Sequence, residues 1–209
     1  MRIETKKEAN TAVLVVDVQG DFTQVKNGSL AVEGTNESYM DMVEAETRRL
    51  KTIGYPMLAT QDWHPKDHIS FFSNHEGASA FDVIKIENRE QVLWPPHCVQ
   101  GTKNAQVMLD NTLFSQIIQK GMDSNYDSYS GFFDDGKKPT GLDSKLKEME
   151  IEKLIIYGLA TDYCVKATAM DAKALGFEVT VLKDLCRGVD PESTRAALKE
   201  MEAAGISII

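Results

Sequence analysis

The chain has 209 residues and carries 23 Lys and Arg against 32 Asp and Glu, a net charge of −9 at pH 7. At roughly 150 residues per domain, that length predicts a single domain, 1–209, able to fold on its hydrophobic core without a disulfide or a metal. A hydrophobic fraction of 42% excludes a disordered chain, and the acidic balance excludes nucleic acid and anionic membranes as partners, because both are held by clustered Lys and Arg.

The first residues, Met1 to Glu8, carry both signs of charge and lack the apolar core of a signal peptide. No apolar stretch approaches the ~20 residues that span a bilayer. Cys98, Cys164 and Cys186 form no C-x-x-C pair, so neither a disulfide framework nor a four-cysteine zinc site is expected, and a reducing cytoplasm is the expected compartment.

Thr11 to Val16 is β-branched and apolar on both faces, as a strand buried in a parallel sheet must be. Asn36 to Ile53 has helical spacing, with Met40, Val43 and Leu50 apolar and Gly54 at its end. Tyr55 to Thr60 predicts a second strand and Leu113 to Lys120 a third. A helix over Gly141 to Met149 leads to a fourth strand, Lys153 to Tyr157. A helix from about Asp162 to Leu175 stops at Gly176, the usual C-terminal residue. Phe177 to Leu182 is a fifth strand, Pro191 to Ala204 a helix with proline in its first turn, and Ile206 to Ile209 a last short strand. Strands alternating with helices predict an α/β domain of Rossmann-like type, a mostly parallel six-stranded sheet with helices on both faces. The segment Asp62 to Val99 breaks the alternation. It is far longer than a usual βα connection and holds all four histidines and both tryptophans, so it is expected to be an ordered functional insertion.

Ligands of an open parallel sheet bind beyond the carboxyl ends of its strands. Four strands deliver a reactive side chain there: Asp17 after the first, Asp62 just past the second, Lys120 at the end of the third, and Cys164 after the fourth. A thiol becomes a nucleophile beside a helix N-terminus, a cation or a base. The helix from Asp162, Lys120 and Asp17 offer Cys164 all three. Backbone N–H groups of the turn Gly158 to Cys164 are candidates for an oxyanion hole. A second group is Asp62-Trp63-His64, where alternate residues of an extended segment face one side. One of His68, His75 and His97 would complete a site of two nitrogens and a carboxylate; His97 is the candidate taken, and such a site suits Zn²⁺, Fe²⁺ or Mn²⁺.

Five ordered blocks then resemble one family. D-V-Q-G-D-F from Asp17, T-Q-D-W-H-P-K-D-H-I-S-F from Thr60, W-P-P-H-C-V-Q-G-T from Trp94, Lys120-Gly121 with D-S-Y-S-G-F from Asp127, and G-L-A-T-D-Y-C-V from Gly158 resemble the nicotinamidase/pyrazinamidase branch of the isochorismatase-like cysteine hydrolases. The likeness runs from Ala12 to the C-terminus. It implies an isochorismatase-like fold and an amidohydrolase that converts nicotinamide, and pyrazinamide, through a cysteine thioester. Asp17, Lys120 and Cys164 would be the catalytic triad. Asp62, His64 and His97 would hold one divalent metal ion per chain, zinc first with iron or manganese as alternatives. The N–H groups of Ala160 and Cys164 would form the oxyanion hole, beside a cis peptide between Ala160 and Thr161. Phe22, Trp94 and Tyr129 would flank the substrate ring. The partner implied is the small-molecule substrate, with homo-oligomerisation left open.

Alternatives on the same fold are an isochorismatase, an N-carbamoyl amidase or a non-catalytic small-molecule sensor; neither rival hydrolase needs the W-P-P-H block. A phosphoacceptor receiver module would need lysine after its fifth strand, whereas here lysine ends the third. His68 is read as a residue behind the metal site or on the surface, His75 as a loop residue, and Cys98 and Cys186 as structural.

Overall fold

The computed structural model describes residues 7–87 and 89–209. The charged start Met1 to Lys6 lies outside the described residues. Six strands form one sheet: β1 (Thr11–Val16), β2 (Met57–Asp62), β5 (Gln116–Lys120), β6 (Lys153–Leu159), β7 (Glu178–Arg187) and β8 (Ser207–Ile208). Their order is β5-β2-β1-β6-β7-β8, with every pairing parallel. β1 lies inside the sheet, and all six of its residues are buried, which is why it is apolar on both faces. Among the described residues, four α-helices complete the single α/β domain: α1 (Glu37–Ile53), α2 (Leu142–Glu148), α3 (Lys166–Ala174) and α4 (Pro191–Ala203).

The direction of each crossover assigns the helices to faces. The chain moves one way along the sheet from β1 to β2 and the opposite way from β5 through β6 and β7 to β8. Right-handed crossovers therefore put α1 on one face and α2, α3 and α4 on the other. The Thr47 hydroxyl of α1 meets the Tyr157 hydroxyl of β6 at 2.8 Å in the core, while α3 packs on α4. Local signals set the helix ends as their residue types demand. Asn36 Oδ1 accepts from Tyr39 N at 3.1 Å, Gly54 closes α1 in the left-handed region at φ 102°, and Asp190 accepts from the N–H groups of Glu192 and Ser193. No helix among the described residues is long and apolar enough to cross a membrane.

Several boundaries differ from the sequence reading. β2 starts at Met57 and runs to Asp62, making Asp62 the last strand residue instead of one just past it. The expected third strand starts late because Asp110 caps a 3-10 turn over Asn111–Leu113, and β5 begins only at Gln116. β7 passes a register shift opposite Ile156–Gly158 and continues to Arg187, so Cys186 lies within it. The expected helix from Asp162 opens with a π turn, Thr161–Val165, before α3. The described residues of the insertion 62–99 include an antiparallel hairpin, β3 (Val83–Ile86) with β4 (Arg89–Val92), where the sequence suggested no strand. Its segments return to the sheet edge through a parallel bridge between His64 and Val99.

Candidate active site

Asp17 follows the last residue of β1 at φ 47°, so the chain turns off the sheet there. Its N–H donates to Thr60 Oγ1 at 3.2 Å, and the Thr60 hydroxyl donates to Asp17 Oδ1 at 2.6 Å. Lys120 closes β5 directly opposite Asp62 in the ladder. Its ammonium, 1% exposed, donates to Asp62 Oδ1 at 2.5 Å, Ser128 O at 2.6 Å and Cys164 Sγ at 3.5 Å, and lies 3.0 Å from Asp17 Oδ2. Four strand ends thus converge: the reacting atoms of Asp17, Asp62 and Cys164 all lie within 4.8 Å of one another.

A buried cation between two carboxylates drives their protonation behaviour apart. Burial raises Asp17 to about 6 against the pull of Lys120. For Asp62 burial is outweighed by Lys120 and His64, and the carboxyl is held well below its ordinary range. Burial opposes the charge of Lys120, but Asp17 and Asp62 hold it well above its ordinary value. Two acids with separated pKa values mark an ionised partner and a group able to exchange a proton near neutrality. Asp17 Oδ2, 3.0 Å from the Lys120 ammonium, is a buried acceptor beside the thiol. Burial pushes the Cys164 thiol well up, more than Lys120 lowers it. The helix terminus and the cation therefore do not leave a resting thiolate, and the neighbouring carboxylate is needed to take its proton.

Asp62, His64 and His97 form the second cluster, all buried, with their ligating atoms within 4.8 Å of one another. His64 Nδ1 lies 2.9 Å from Gly121 O and His97 Nδ1 lies 2.8 Å from Pro95 O. A carbonyl only accepts, so each Nδ1 carries the hydrogen and each Nε2 offers a lone pair. His64 Nε2 is buried without a partner, 3.5 Å from Asp62 Oδ2. Burial, with help from His64, lowers His97 to about 4, leaving its imidazole neutral. Burial opposes charge on His64, but Asp62 outweighs it and raises the imidazole above its ordinary value, so a cation would have to displace a proton there. An ionised carboxylate, two imidazoles and an orphaned buried nitrogen fit a divalent cation of the zinc, iron or manganese type. Glycine at 121 makes room: its φ is +64°, and a Cβ there would stand 2.3 Å from His64 Cε1.

The other histidines are spent elsewhere. His68 is fully buried, not superficial; its Nδ1 meets Ser70 Oγ at 2.7 Å and its Nε2 meets Tyr126 O at 3.2 Å. His75 Nε2 meets Ile69 O at 2.7 Å. Cys98 and Cys186 are buried and unpaired.

Above Cys164 opens a cleft lined by Phe22, Trp94 and Tyr129 as well as Asp62, His97 and Ala160. Trp94 Nε1 donates to the Tyr129 hydroxyl at 3.0 Å. Tyr163 completes the aromatic wall, its ring 5.1 Å from Trp94 edge to face and 5.7 Å from Tyr129. The sequence reading missed Tyr163, although its place next to Cys164 was a signal. It also missed Asp127, Leu30, Val32 and Val189 on the cleft wall, which come from loops with no periodicity to orient them.

The cis peptide does not lie between Ala160 and Thr161 as expected but between Leu159 and Ala160. The Ala160 carbonyl already accepts from the N–H groups of Tyr163 and Val165. Its peptide therefore belongs to the helical turn, and the cis bond falls at the strand end. Asp162, within the turn, accepts from Val189 N at 3.0 Å and Asp190 N at 3.2 Å, tying the nucleophile segment to the cleft rim.

Known proteins share this arrangement's sequence and fold. Residues 11–209 match the isochorismatase domain. The chain is 42% identical to a nicotinamidase of Acinetobacter baylyi over 100% of this chain and 96% of the relative, and 41% identical to one of Escherichia coli over 94% and 93%. Among solved structures, a nicotinamidase/pyrazinamidase of Acinetobacter baumanii superposes with a TM-score of 0.88 at 39% identity, covering 98% of this chain and 97% of that one. An L. infantum protein in complex with nicotinate gives 0.83 at 35% over 98% and 94%. A pyrazinamidase of Pyrococcus horikoshii in complex with zinc gives 0.80 at 36% over 96% and 98%.

Proposed function

Because the chain belongs to the isochorismatase-domain family, we propose that it is a nicotinamidase that hydrolyses nicotinamide to nicotinate and ammonia through a thioester on Cys164, and that it accepts pyrazinamide as well. The observation that carries this reading is the contact of Asp17, Lys120 and Cys164 at the floor of an aromatic cleft, next to the Asp62, His64 and His97 cluster.

The roles follow from the distances and the protonation order. As the carboxamide carbon approaches Sγ, the thiol proton passes to Asp17 Oδ2 and the S–C bond forms. Negative charge on the carboxamide oxygen is met by the N–H groups of Ala160 and Cys164. Asp17 returns the proton to the amide nitrogen, the C–N bond breaks, and ammonia leaves. Water then attacks the thioester, giving one proton to Asp17; the C–S bond breaks, the thiolate takes that proton back, and the nicotinic acid released loses its remaining acid proton to solvent as nicotinate. Lys120 stays charged throughout and keeps Asp17 oriented. Phe22, Trp94, Tyr129 and Tyr163 offer faces and edges to a flat heteroaromatic ring. Asp62, His64 and His97 would hold a divalent cation, zinc first, whose chemistry there is that of a Lewis acid able to anchor the ring nitrogen. The three unpaired cysteines suit a reducing cytoplasm.

Three outcomes test this scheme. Removing metal with a chelator is expected to lower ammonia release at least about tenfold, with recovery on adding zinc. Elemental analysis should find about one metal per chain, lost in Asp62→Ala; full activity in metal-free protein would refute the cation's part. Because Asp17 must be unprotonated to take the thiol proton, and its value is raised to about 6, kcat/KM should fall as pH drops through that value. A flat profile between pH 7 and about 5 would remove Asp17 from the role of base.

A further inference from the structure

Behind the cation cluster, residues 19–21 reach toward both of its arms. β1 has turned away at Asp17, and β2 pairs with it only over Met57–Ala59, so the β1-facing peptide groups of Asp62 have no strand partner. The fully buried Gln19 carboxamide takes that place. Its Nε2 donates to Asp62 O and its Oε1 accepts from Asp62 N, both at 2.8 Å, while Nε2 also donates to Ala105 O at 2.8 Å. A carboxamide offers the same donor and acceptor as a peptide, so it grips Asp62 as a strand would.

Two residues on, Asp21 Oδ2 accepts from Cys98 N at 2.7 Å. Cys98 follows His97 and sits in the left-handed region at φ 47°. Its carbonyl accepts from His64 N at 3.0 Å. The Cys98 residue is therefore held at both ends, and with it the direction from which His97 enters the cluster. Next to this, the Ser29 hydroxyl donates to Pro96 O at 2.7 Å.

We infer that Gln19 and Asp21 are positioning residues that set the separation of Asp62 from His97, so that this chain's affinity for its cation depends on two side chains that do not ligate it. The inference rests on the reading of Asp62, His64 and His97 as a cation site. Groups that orient ligands from behind commonly change metal affinity by about 10–100-fold when removed.

The probe is Zn²⁺ alone, titrated into metal-free full-length protein in competition with a chromophoric chelator. Asp21→Ala, which leaves the Cys98 N–H without its acceptor, should raise the zinc dissociation constant by about 10–100-fold. Asp21→Asn keeps a carbonyl acceptor at the same reach and should stay within about threefold of wild type. Gln19→Met keeps the side-chain volume and drops both bonds to Asp62; it carries the same expectation should Asp21→Ala not fold by circular dichroism. A merely structural role would lower the melting temperature of the metal-free variants and leave the zinc constant of the folded protein unchanged, and that result overturns the inference. Failure of wild type itself to take up zinc would instead overturn the cation-site reading beneath it.

Discussion

Cys164→Ala is expected to lower ammonia release from nicotinamide by at least about 10⁴-fold while leaving the protein folded. The reason is the mismatch between the thiol's resting state and its task. Burial keeps Cys164 protonated, so reaction depends on proton transfer to Asp17 coupled to attack by sulfur. Alanine removes the attacking atom but leaves the Asp17–Lys120–Asp62 ion pairs at 3.0 and 2.5 Å in place. Electrostatic positioning of the amide would survive, yet neither the carboxylate of Asp17 nor the ammonium of Lys120 replaces a thiolate as the group that forms a stable acyl intermediate. Two readouts bear on it: continuous ammonia detection, and intact mass after acid quench, where wild type should carry an acyl adduct and the variant none. An undiminished rate in Cys164→Ala would sink the thioester mechanism outright.

Lys120→Met is the second large effect, and it should appear in stability as well as in rate. The ammonium is almost wholly buried between two carboxylates, and removing one partner of such a network costs about 3–5 kcal/mol, because like charges are then left facing each other away from water. The sign of the pH dependence follows. In metal-free wild type, Asp62 lies below its unfolded value, so its contribution is present above that value and is lost as pH falls. In the variant the lysine that held Asp62 down is gone, and both carboxylates rise with burial. Their protonation then relieves the repulsion, and the deficit relative to wild type should shrink from pH about 7.5 toward about 5.5. Urea unfolding of chelated protein at the two pH values measures this. A deficit below about 1 kcal/mol at the higher pH would mean that the ammonium is not needed to hold the two acids together.

Much of the layout was legible in the residues because the fold uses strong local signals. β1 is apolar on both faces, Gly54 and Gly176 end helices, and Asp17, Asp62, Lys120 and Cys164 stand at or just beyond strand ends, so placing the strands also placed the chemistry. Phe22, Trp94 and Tyr129 could be named only through family resemblance, and all three line the cleft. What escaped has physical causes. β3 and β4 are four residues each with half-exposed faces, too short for a period to show. Leu182 looked like a strand end because Lys183-Asp184 is polar, yet the bulge opposite Gly158 lets β7 resume. At Gly158 a Cβ would meet Val16 O at 2.1 Å, so glycine here answers to the neighbouring strand and not to the helix that follows. The tautomers of His64 and His97, which decide where their lone pairs point, depend on carbonyls of Gly121 and Pro95 and so on tertiary placement. The same holds for Gln19, whose partner is 43 residues away.

The sheet order also dictates when the molecule can be assembled during synthesis. β1 takes β6 as a neighbour along its full length, Thr11 against Lys153 through Val16 against Gly158, and β6 leaves the ribosome about 140 residues after β1. At about 5–20 residues per second, that is roughly 7–30 s in which an all-apolar strand has one edge open. Until β6 arrives, neither that edge nor the hydrolytic centre is closed, because Cys164 lies just beyond β6. Until Cys164 has emerged the nascent chain is thus inert toward amides, and the apolar strand edge left open is the one that the nucleophile's own strand later covers.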